Sequence, residues 1–209
     1  MGSVGVGLTM SLDGFIAGPN DGPDNPLGDE GGRLFNWYFT GDAEYVMPSG
    51  TMTVNVSPAS VDHLRETFAN IGAIVCGRRT FDIAGGFGGQ HPADVPIFVV
   101  THNVPEEWVR EHPDAPFTFV TDGVESAVAL AKAAAGEKNV GVGAASLAQQ
   151  CINAGLLDEI HIDLAPCLLG EGVRLFEHLG VAPLDLEIAR VVTAPSVTHI
   201  TYRFPKDEA

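Results

Sequence analysis

The chain has 209 residues, of which 45% are hydrophobic, and carries 27 acidic against 11 basic residues, a formal net charge of −16. This length and hydrophobic content predict one globular α/β domain, 1–209, and argue against a disordered chain. The negative charge disfavours nucleic acid and anionic membranes as partners, because both bind basic surfaces.

The three cysteines, Cys76, Cys151 and Cys167, form no CxxC pair. Cysteines of this kind are typical of core residues in a reducing compartment. The amino-terminal stretch lacks the charged region of a signal peptide, and no run approaches the roughly 20 apolar residues of a membrane span. We therefore expect a cytoplasmic protein without a membrane segment.

Residues 4–10 (VGVGLTM) predict a first strand, with glycines where another group approaches closely. After SLDGFIA comes a long loop, 18–32, rich in Gly, Pro, Asn and Asp. A loop of this length is usually functional, often as a lid, and a plain surface insertion is the alternative. Residues 33–39 have the apolar spacing of a short helix, whereas 40–56 are interpreted as another loop.

Ser57 and Pro58 predict the start of a helix, with Ser as N-cap and Pro at the first position. The stretch GAIVCGRRTFD, 72–82, then indicates a buried strand that ends in a glycine turn. Arg78, Arg79 and Thr80 follow the carboxyl end of that strand, where open α/β sheets bind ligands. Two guanidiniums and a hydroxyl suit a phosphate, and two solvated arginines in a surface loop are the alternative.

Further strands are predicted at 97–100, which ends in Thr101-His102, and at 117–120. Asp122 and Glu125 predict a capping pair for a helix that ends near Ala135. The remaining predictions are a strand-to-glycine transition at 139–145, helix 146–154, strand 160–166, a short helix over VRLFEHL, and a closing hairpin, 186–192 and 197–204.

Several catalytic motifs are absent from the sequence, including HExxH, GxSxG and GxxxxGK[ST]. His161 and Asp163 share one strand face and could offer two metal ligands, but the seven histidines are scattered, with no Cys/His pair at ligand spacing, so we assign no metal site. Once these motifs are excluded, the remaining candidate is a nucleotide-binding site formed by three strand ends, 77–80, 101–102 and 141–146. The two arginines could pair with the 2′-phosphate of NADP, which suggests a dinucleotide reductase.

Four motifs, SLDGFIA, GRRTFD, GVGAAS and LLDEIHIDLAPCLLGEGVRLF, together resemble the dihydrofolate reductase family, most closely the stand-alone relatives of the riboflavin-biosynthesis reductase domain. The resemblance runs from Val4 to Phe204. It implies a dihydrofolate reductase-like mixed eight-stranded sheet, mostly parallel with a C-terminal antiparallel hairpin, and helices on both faces. It also implies NADPH as hydride donor, a small-molecule substrate and often a homodimer.

The resemblance implies cofactor contacts in four segments, which lie at the nicotinamide, the adenosine phosphate, the adjoining ribose phosphate and the pyrophosphate. In that order they are Ile16 and Ala17; Gly77, Arg78, Arg79 and Thr80; Thr101 and His102; and Gly141, Val142, Gly143, Ala144, Ala145 and Ser146.

The chain departs from the family pattern at the carboxylate that opens the first helix and helps to protonate the substrate. Asp29 and Glu30 lie near that position, and Asp13 is a further candidate, although it could instead hold a turn through backbone hydrogen bonds. The family's Gly-Gly step, which takes a cis peptide there, is Val142-Gly143 here. The HxE and PCxxC motifs of the deaminase that often accompanies the reductase are absent.

The resulting hypothesis is an NADPH-dependent reductase of a small heterocycle or of a carbonyl or imine compound. Within that class, dihydrofolate and 5-amino-6-ribosylaminouracil phosphate are alternative substrates. The phosphorylated one would need a second cationic site, for which Arg33 and Arg174 are the obvious candidates. An alternative of another class is a catalytically silent nucleotide-binding protein on the same fold.

Overall fold

The structure is a computed structural model that describes residues 2–143 and 145–205. Its strands are β1 Val4–Ser11, β2 Phe15–Ala17, β3 Ala43–Val46, β4 Thr53–Val56, β5 Ile71–Gly77, β6 Ile97–Val100, β7 Phe117–Val120, β8 Asn139–Gly143, β9 Glu159–Ala165, β10 Val173–Arg174, β11 Glu187–Ala194 and β12 Val197–Arg203. Its α-helices are α1 Pro58–Asn70, α2 Arg78–Ile83, α3 Glu106–Glu111, α4 Val124–Ala135 and α5 Ala145–Asn153, and 3-10 helices span Gly31–Tyr38 and Gly85–Gly89.

Eight of the strands form the central sheet, in the order β11-β12-β9-β1-β8-β5-β6-β7. The six strands from β9 to β7 pair in parallel, while β12 is antiparallel to both β9 and β11. The fold prediction is therefore confirmed: the sheet is mixed and mostly parallel, and it closes with an antiparallel hairpin. The carboxyl ends of β1, β5, β6 and β8 lie at one edge of this sheet.

Alternation along the strands separates the two faces of the sheet. Val4 and Val6 of β1 are buried in the main core, which α4 and α5 cover with small and aliphatic side chains. Helices α1 and α2 and the 3-10 helix Gly31–Tyr38 cover parts of the other face, where two smaller cores form. Gly5 and Gly7 have the opposite parity to the valines and so face this second side.

Helix α1 begins as predicted, with the Ser57 hydroxyl accepting a hydrogen bond from the Ser60 N–H at 3.2 Å. The capping pair predicted for α4 is wrong. The N-cap of α4 is Gly123, at φ 95°, and no side chain caps this helix. The residue before Val124 has a positive φ, which favours glycine. Gly123 therefore takes the N-cap position, and Asp122 lies one residue too early to act as the cap.

Two further predictions are corrected by strand pairing. Residues 40–56 contain an antiparallel hairpin, β3 with β4, rather than only a loop. The VRLFEHL stretch is not a helix, because Val173 and Arg174 pair with β2. The longest helix in the described part of the chain, α1, has 13 residues, and none there is long and apolar enough to cross a bilayer.

Candidate active site

One large cavity, of about 1250 Å³, runs from the carboxyl ends of β5, β6 and β8 across the sheet face to β9 and β12. Its volume exceeds the roughly 300–1,000 Å³ typical of small-molecule pockets. The cavity therefore has room for a dinucleotide and a substrate side by side.

The predicted cofactor-binding residues come together at this cavity. Every one that the structure describes lines it, namely Ile16, Ala17, Gly77, Arg78, Arg79, Thr80, Thr101, His102, Gly141, Val142, Gly143, Ala145 and Ser146. Ala144 lies outside the described residues. The topology brings these segments together because they follow the ends of neighbouring parallel strands. Cofactor binding by these residues stays a prediction.

Both arginines of the α2 turn are held by oxygen atoms. Arg78 donates to the Asp82 carboxylate at 2.7 Å and to the Asn103 carbonyl at 2.8 Å. Arg79 donates to the carbonyl and the carboxylate of Asp21, at 2.9 and 2.8 Å, and so ties the 18–32 loop to α2. Each guanidinium is more than one third exposed. Neither pair is buried, so both can be exchanged for another anion at small cost.

The middle of the cavity has a floor of backbone. Gly5 and Gly7 of β1 lie beside Gly141 and Gly143 of β8, and all four line the cavity. A Cβ at Gly5 would lie 3.2 Å from the imidazole ring of His161. The four glycines therefore let a flat ligand approach the sheet itself.

The Val142-Gly143 peptide does not share the cis geometry of the corresponding family step. Among the residues that the structure describes, the cis peptide bond is Ala182-Pro183. The glycine turn at this position of the chain thus has an ordinary trans bond before Gly143.

Beside the glycine floor, β9 and β12 form a polar wall of three cross-strand pairs. Arg203 donates to Glu159 at 2.8 Å, and the His161 Nδ1 lies 3.1 Å from the Thr201 hydroxyl. The third pair joins Asp163 to His199. In each pair the two residues lie directly opposite in the antiparallel register, which places their side chains on the same face. Burial lowers the pKa of His161, against the opposing effect of Glu159.

Asp163 is the centre of a hydrogen-bonded cluster at the cavity wall. Its Oδ1 atom lies 2.6 Å from the Nδ1 of His199 and 3.4 Å from the Nε2 of His63, a residue of α1. The two imidazole rings stack at 4.0 Å, and the His199 Nε2 lies 3.0 Å from the Ser60 hydroxyl. Burial alone raises the pKa of Asp163, but hydrogen bonds from His199 and His63 outweigh burial and lower it.

The same cluster meets the distance criterion for a metal site, since its ligating atoms lie within 4.8 Å of one another. However, the carboxylate oxygen itself occupies the point on which both ring nitrogens converge. Asp163 makes a short hydrogen bond with His199 and a longer polar contact with His63, so the three side chains pair with one another without an ion. Next to them, burial and the Asp163 charge raise the pKa of Tyr38 well above its ordinary value.

Asp13 was considered either as a proton donor or as a residue that holds a turn, and the structure shows it holding a turn. Its carboxylate accepts hydrogen bonds from the backbone N–H groups of Leu169 and Gly170, at 3.1 and 2.7 Å, and from the Ser11 hydroxyl at 2.6 Å. The Ser11 hydrogen bond, with the backbone ones, lowers the pKa of Asp13 to about 2. Asp13 does not line the cavity.

Asp29 and Glu30 also lie outside the lining of the cavity. Asp29 accepts hydrogen bonds from Asn20 and Asn25 at 2.6 and 2.9 Å, which close the 18–32 loop on itself. Glu30 is exposed and pairs with Arg33 at 2.7 Å. The geometry thus gives both carboxylates partners in the loop and none in the cavity, and a proton-donor role for them stays a prediction.

Sequence reasoning missed several residues of the cavity. At the adenosine end these are Asn103, Thr121 and Gly123, and on the sheet face they include Tyr38, His63 and Thr201. The signal for the polar wall was present, because polar residues alternate at 159, 161 and 163 and again at 199, 201 and 203. Two strands with a polar face beside a glycine strand indicate a cavity rather than a core.

The sheet order, the glycine floor and the turns at the strand ends define a reductase-type α/β domain with the dihydrofolate reductase fold. More specifically, the chain belongs to the RibD C-terminal domain family, which it matches over residues 3–200.

A solved structure, of a protein from Shewanella sp. PV-4 provisionally assigned to riboflavin biosynthesis, superposes with a TM-score of 0.67 at 23% identity. The alignment covers 98% of this chain and 99% of that one, so the likeness in fold extends over almost the whole of both chains. No curated protein matches the chain. Membership of the family implies a reductase-type domain of the kind found in riboflavin biosynthesis.

Proposed function

We propose that the protein is an NADPH-dependent reductase that transfers a hydride to a small heterocycle or to a carbonyl or imine compound. One observation carries the proposal: a single cavity joins the strand-end turns at 77–80, 101–102 and 141–146 to the glycine floor of β1 and β8. A dinucleotide laid along these turns would bring its reactive ring to the sheet face, where a flat substrate has room.

The donors along the cavity suit the charges of a phosphorylated dinucleotide. Arg78 and Arg79 would exchange Asp82 and Asp21 for the 2′-phosphate. The first residues of α5 would present backbone N–H groups to the pyrophosphate. Ile16 and Ala17 of β2 would cover the nicotinamide, and the 18–32 loop that follows them, of which Asp21 and Pro26 line the cavity, would shield it from water. When bound, NADPH supplies the hydride.

The charges of the sheet-facing half argue for a substrate without a phosphate. The two guanidiniums there, Arg190 and Arg203, are outnumbered by the carboxylates of Glu66, Glu159 and Asp163. Among the described residues of the adenosine end, by contrast, Arg78 and Arg79 face Asp21 as the one lining carboxylate. Arg33 and Arg174, the two cations considered for a substrate phosphate, do not line the cavity. We therefore favour a neutral or amine-bearing substrate over the ribosylaminouracil phosphate.

Titration of the purified protein with NADPH and NADH, followed by nicotinamide fluorescence and calorimetry, tests the cofactor. We expect a dissociation constant at least 10-fold lower for NADPH. Turnover is then assayed as NADPH consumption at 340 nm with a panel of oxidised heterocycles, carbonyls and imines. If neither dinucleotide binds to folded protein, the proposal fails.

A further inference from the structure

We propose that His63 is the general acid that protonates the substrate, with Asp163 as the carboxylate that orients and charges it and His199 as a positioning residue. The inference rests on the proposed reductase function and adds to it the source of the proton. It is drawn from the geometry of the cluster around Asp163, which no part of the cofactor site uses.

The hydrogen bonds in this cluster have one consistent direction. Asp163, as a carboxylate, only accepts, so the Nδ1 of His199 at 2.6 Å must carry a proton. The Nε2 of His199 is then free to accept from the Ser60 hydroxyl, 3.0 Å away. Ser60 can donate there because its oxygen already accepts from the Ser57 hydroxyl, also at 3.0 Å. The hydrogen bonds thus run from Ser57 to Ser60 to His199, and the last of them, from His199 Nδ1, holds the Asp163 carboxylate in place.

The positive charge of this unit belongs on His63. Two stacked rings at 4.0 Å beside one carboxylate hold at most one charge, because two imidazolium ions at that distance repel. His199 is 2% exposed, and both its nitrogens are occupied, whereas His63 lines the cavity. Asp163 lies 3.4 Å from the Nε2 of His63 and stabilises the charged ring.

The groups that face His63 come from three elements. Asp163 and His161 approach from β9, and His199 from β12. The phenol of Tyr38, from the 3-10 helix, is half-buried near Asp163 and stays neutral, because desolvation and the Asp163 charge raise its pKa. Asp163 is the anion that contacts the His63 ring, and its charge is compensated by the imidazolium alone. When His63 gives up its proton, the negative charge of Asp163 is left uncompensated. This charge favours the return of a proton from solvent to His63.

The proposed step balances in atoms and charge. The carbon of a substrate C=N or C=O bond accepts the hydride that NADPH supplies. The π electron pair moves to the nitrogen or oxygen, which takes the proton from the His63 imidazolium. The products are the reduced substrate, NADP⁺ and neutral imidazole, and one proton from solvent restores the imidazolium.

The first test needs no substrate. We would record long-range ¹H–¹⁵N spectra of the histidine rings in the NADPH complex at pH 5.5, below the ordinary titration range of imidazole. We expect both nitrogens of His63 to be protonated, and His199 to be neutral with its proton on Nδ1. A neutral His63, or a charge on His199, would overturn the proposal.

The second test uses the substrate found by the turnover screen. His63→Gln should lower kcat about 10²–10³-fold, the range of a lost general acid, while the KM and the NADPH dissociation constant change less than about 3-fold. Wild-type kcat should fall as the pH rises, and this fall should be absent in the variant. Asp163→Asn should act in the same direction. His112→Gln is the control, since this ring stacks on Trp108 outside the cavity.

The outcomes separate the two proposals. If the wild type turns over a substrate and His63→Gln retains its kcat and pH profile, His63 is not the acid, while the reductase function stands. If the wild type reduces no compound of the panel, the proposed function fails, and the ring spectra alone decide where the proton of the cluster lies. Unchanged NADPH binding by each variant shows that it is folded.

Discussion

Replacing both arginines of the α2 turn is the sharpest test of the cofactor assignment. In the free protein, Arg78 and Arg79 hold carboxylates in exposed pairs, which contribute about 0.2–1 kcal/mol each. A hydrogen bond to a charged partner contributes about 1.5–3 kcal/mol. For two arginines the net loss in Arg78→Ala with Arg79→Ala is therefore about 1–5 kcal/mol. The middle of that range, about 3 kcal/mol, is an increase of roughly 150-fold in the NADPH dissociation constant.

NADH, which lacks the 2′-phosphate, should lose less than about 3-fold in affinity. Fluorescence titration of both dinucleotides at fixed ionic strength gives the two ratios. The matched control is Arg33→Ala with Arg65→Ala, since it removes the same charge from two exposed i,i+3 pairs outside the cavity. Equal losses for NADPH and NADH, or an equal loss in the control, would refute the 2′-phosphate role.

Three further predictions concern the floor, the Asp13 turn and the cysteines. Gly5→Val, whose Cβ would lie 3.2 Å from a neighbouring imidazole, should abolish turnover of the screened substrate but leave NADPH affinity within about 2-fold in the same titration. Because the folded pKa of Asp13 is lowered to about 2, its stabilisation is complete above its unfolded pKa and is lost as pH falls through 2. Asp13→Asn should therefore lower the urea midpoint at pH 7 and match the wild type near pH 2. Burial raises the thiol pKa of Cys76 and Cys151 to about 12, so iodoacetamide at pH 8 should label folded protein at Cys167 first, as read by mass spectrometry.

The sequence predicted those parts of the fold that local patterns determine. The apolar runs at 73–76 and 97–100 lie within β5 and β6, because strands buried on both faces need continuous apolar residues. The predicted strand 117–120 is the edge strand β7. The β3–β4 hairpin was missed because its strands are only four residues long, so the alternation of β4 (TVNV) spans just two apolar positions, Val54 and Val56. The VRLFEHL stretch has helical spacing, but pairing with β2 decides its structure, and spacing along the chain does not show that partner.

The candidate site divides in the same way. The turn at Gly77–Thr80 is continuous in sequence, and its place at a strand end follows from the preceding apolar run. The unit of His63, Asp163 and His199 is assembled from α1, β9 and β12, so its residues are up to 136 positions apart and no spacing rule joins them. The sequence indicated that Asp163 lies on a polar strand face. That His199 is its partner follows only from the pairing register of β12 with β9, which the structure gives.

This division explains why membership of the family does not fix the substrate. The predicted cofactor half consists of turns whose backbone and glycines set the geometry, so few other residues fit at those positions. The substrate half is a wall of side-chain pairs, Glu159 with Arg203, His161 with Thr201 and Asp163 with His199. Each pair can be replaced without moving the backbone, because side chains opposite one another share a face whatever their chemistry. A chain can therefore keep the fold of the family and acquire a different substrate through two or three exchanges on β9 and β12. The wall of this chain carries two carboxylates, Glu159 and Asp163, against one guanidinium, Arg203, which favours an unphosphorylated substrate.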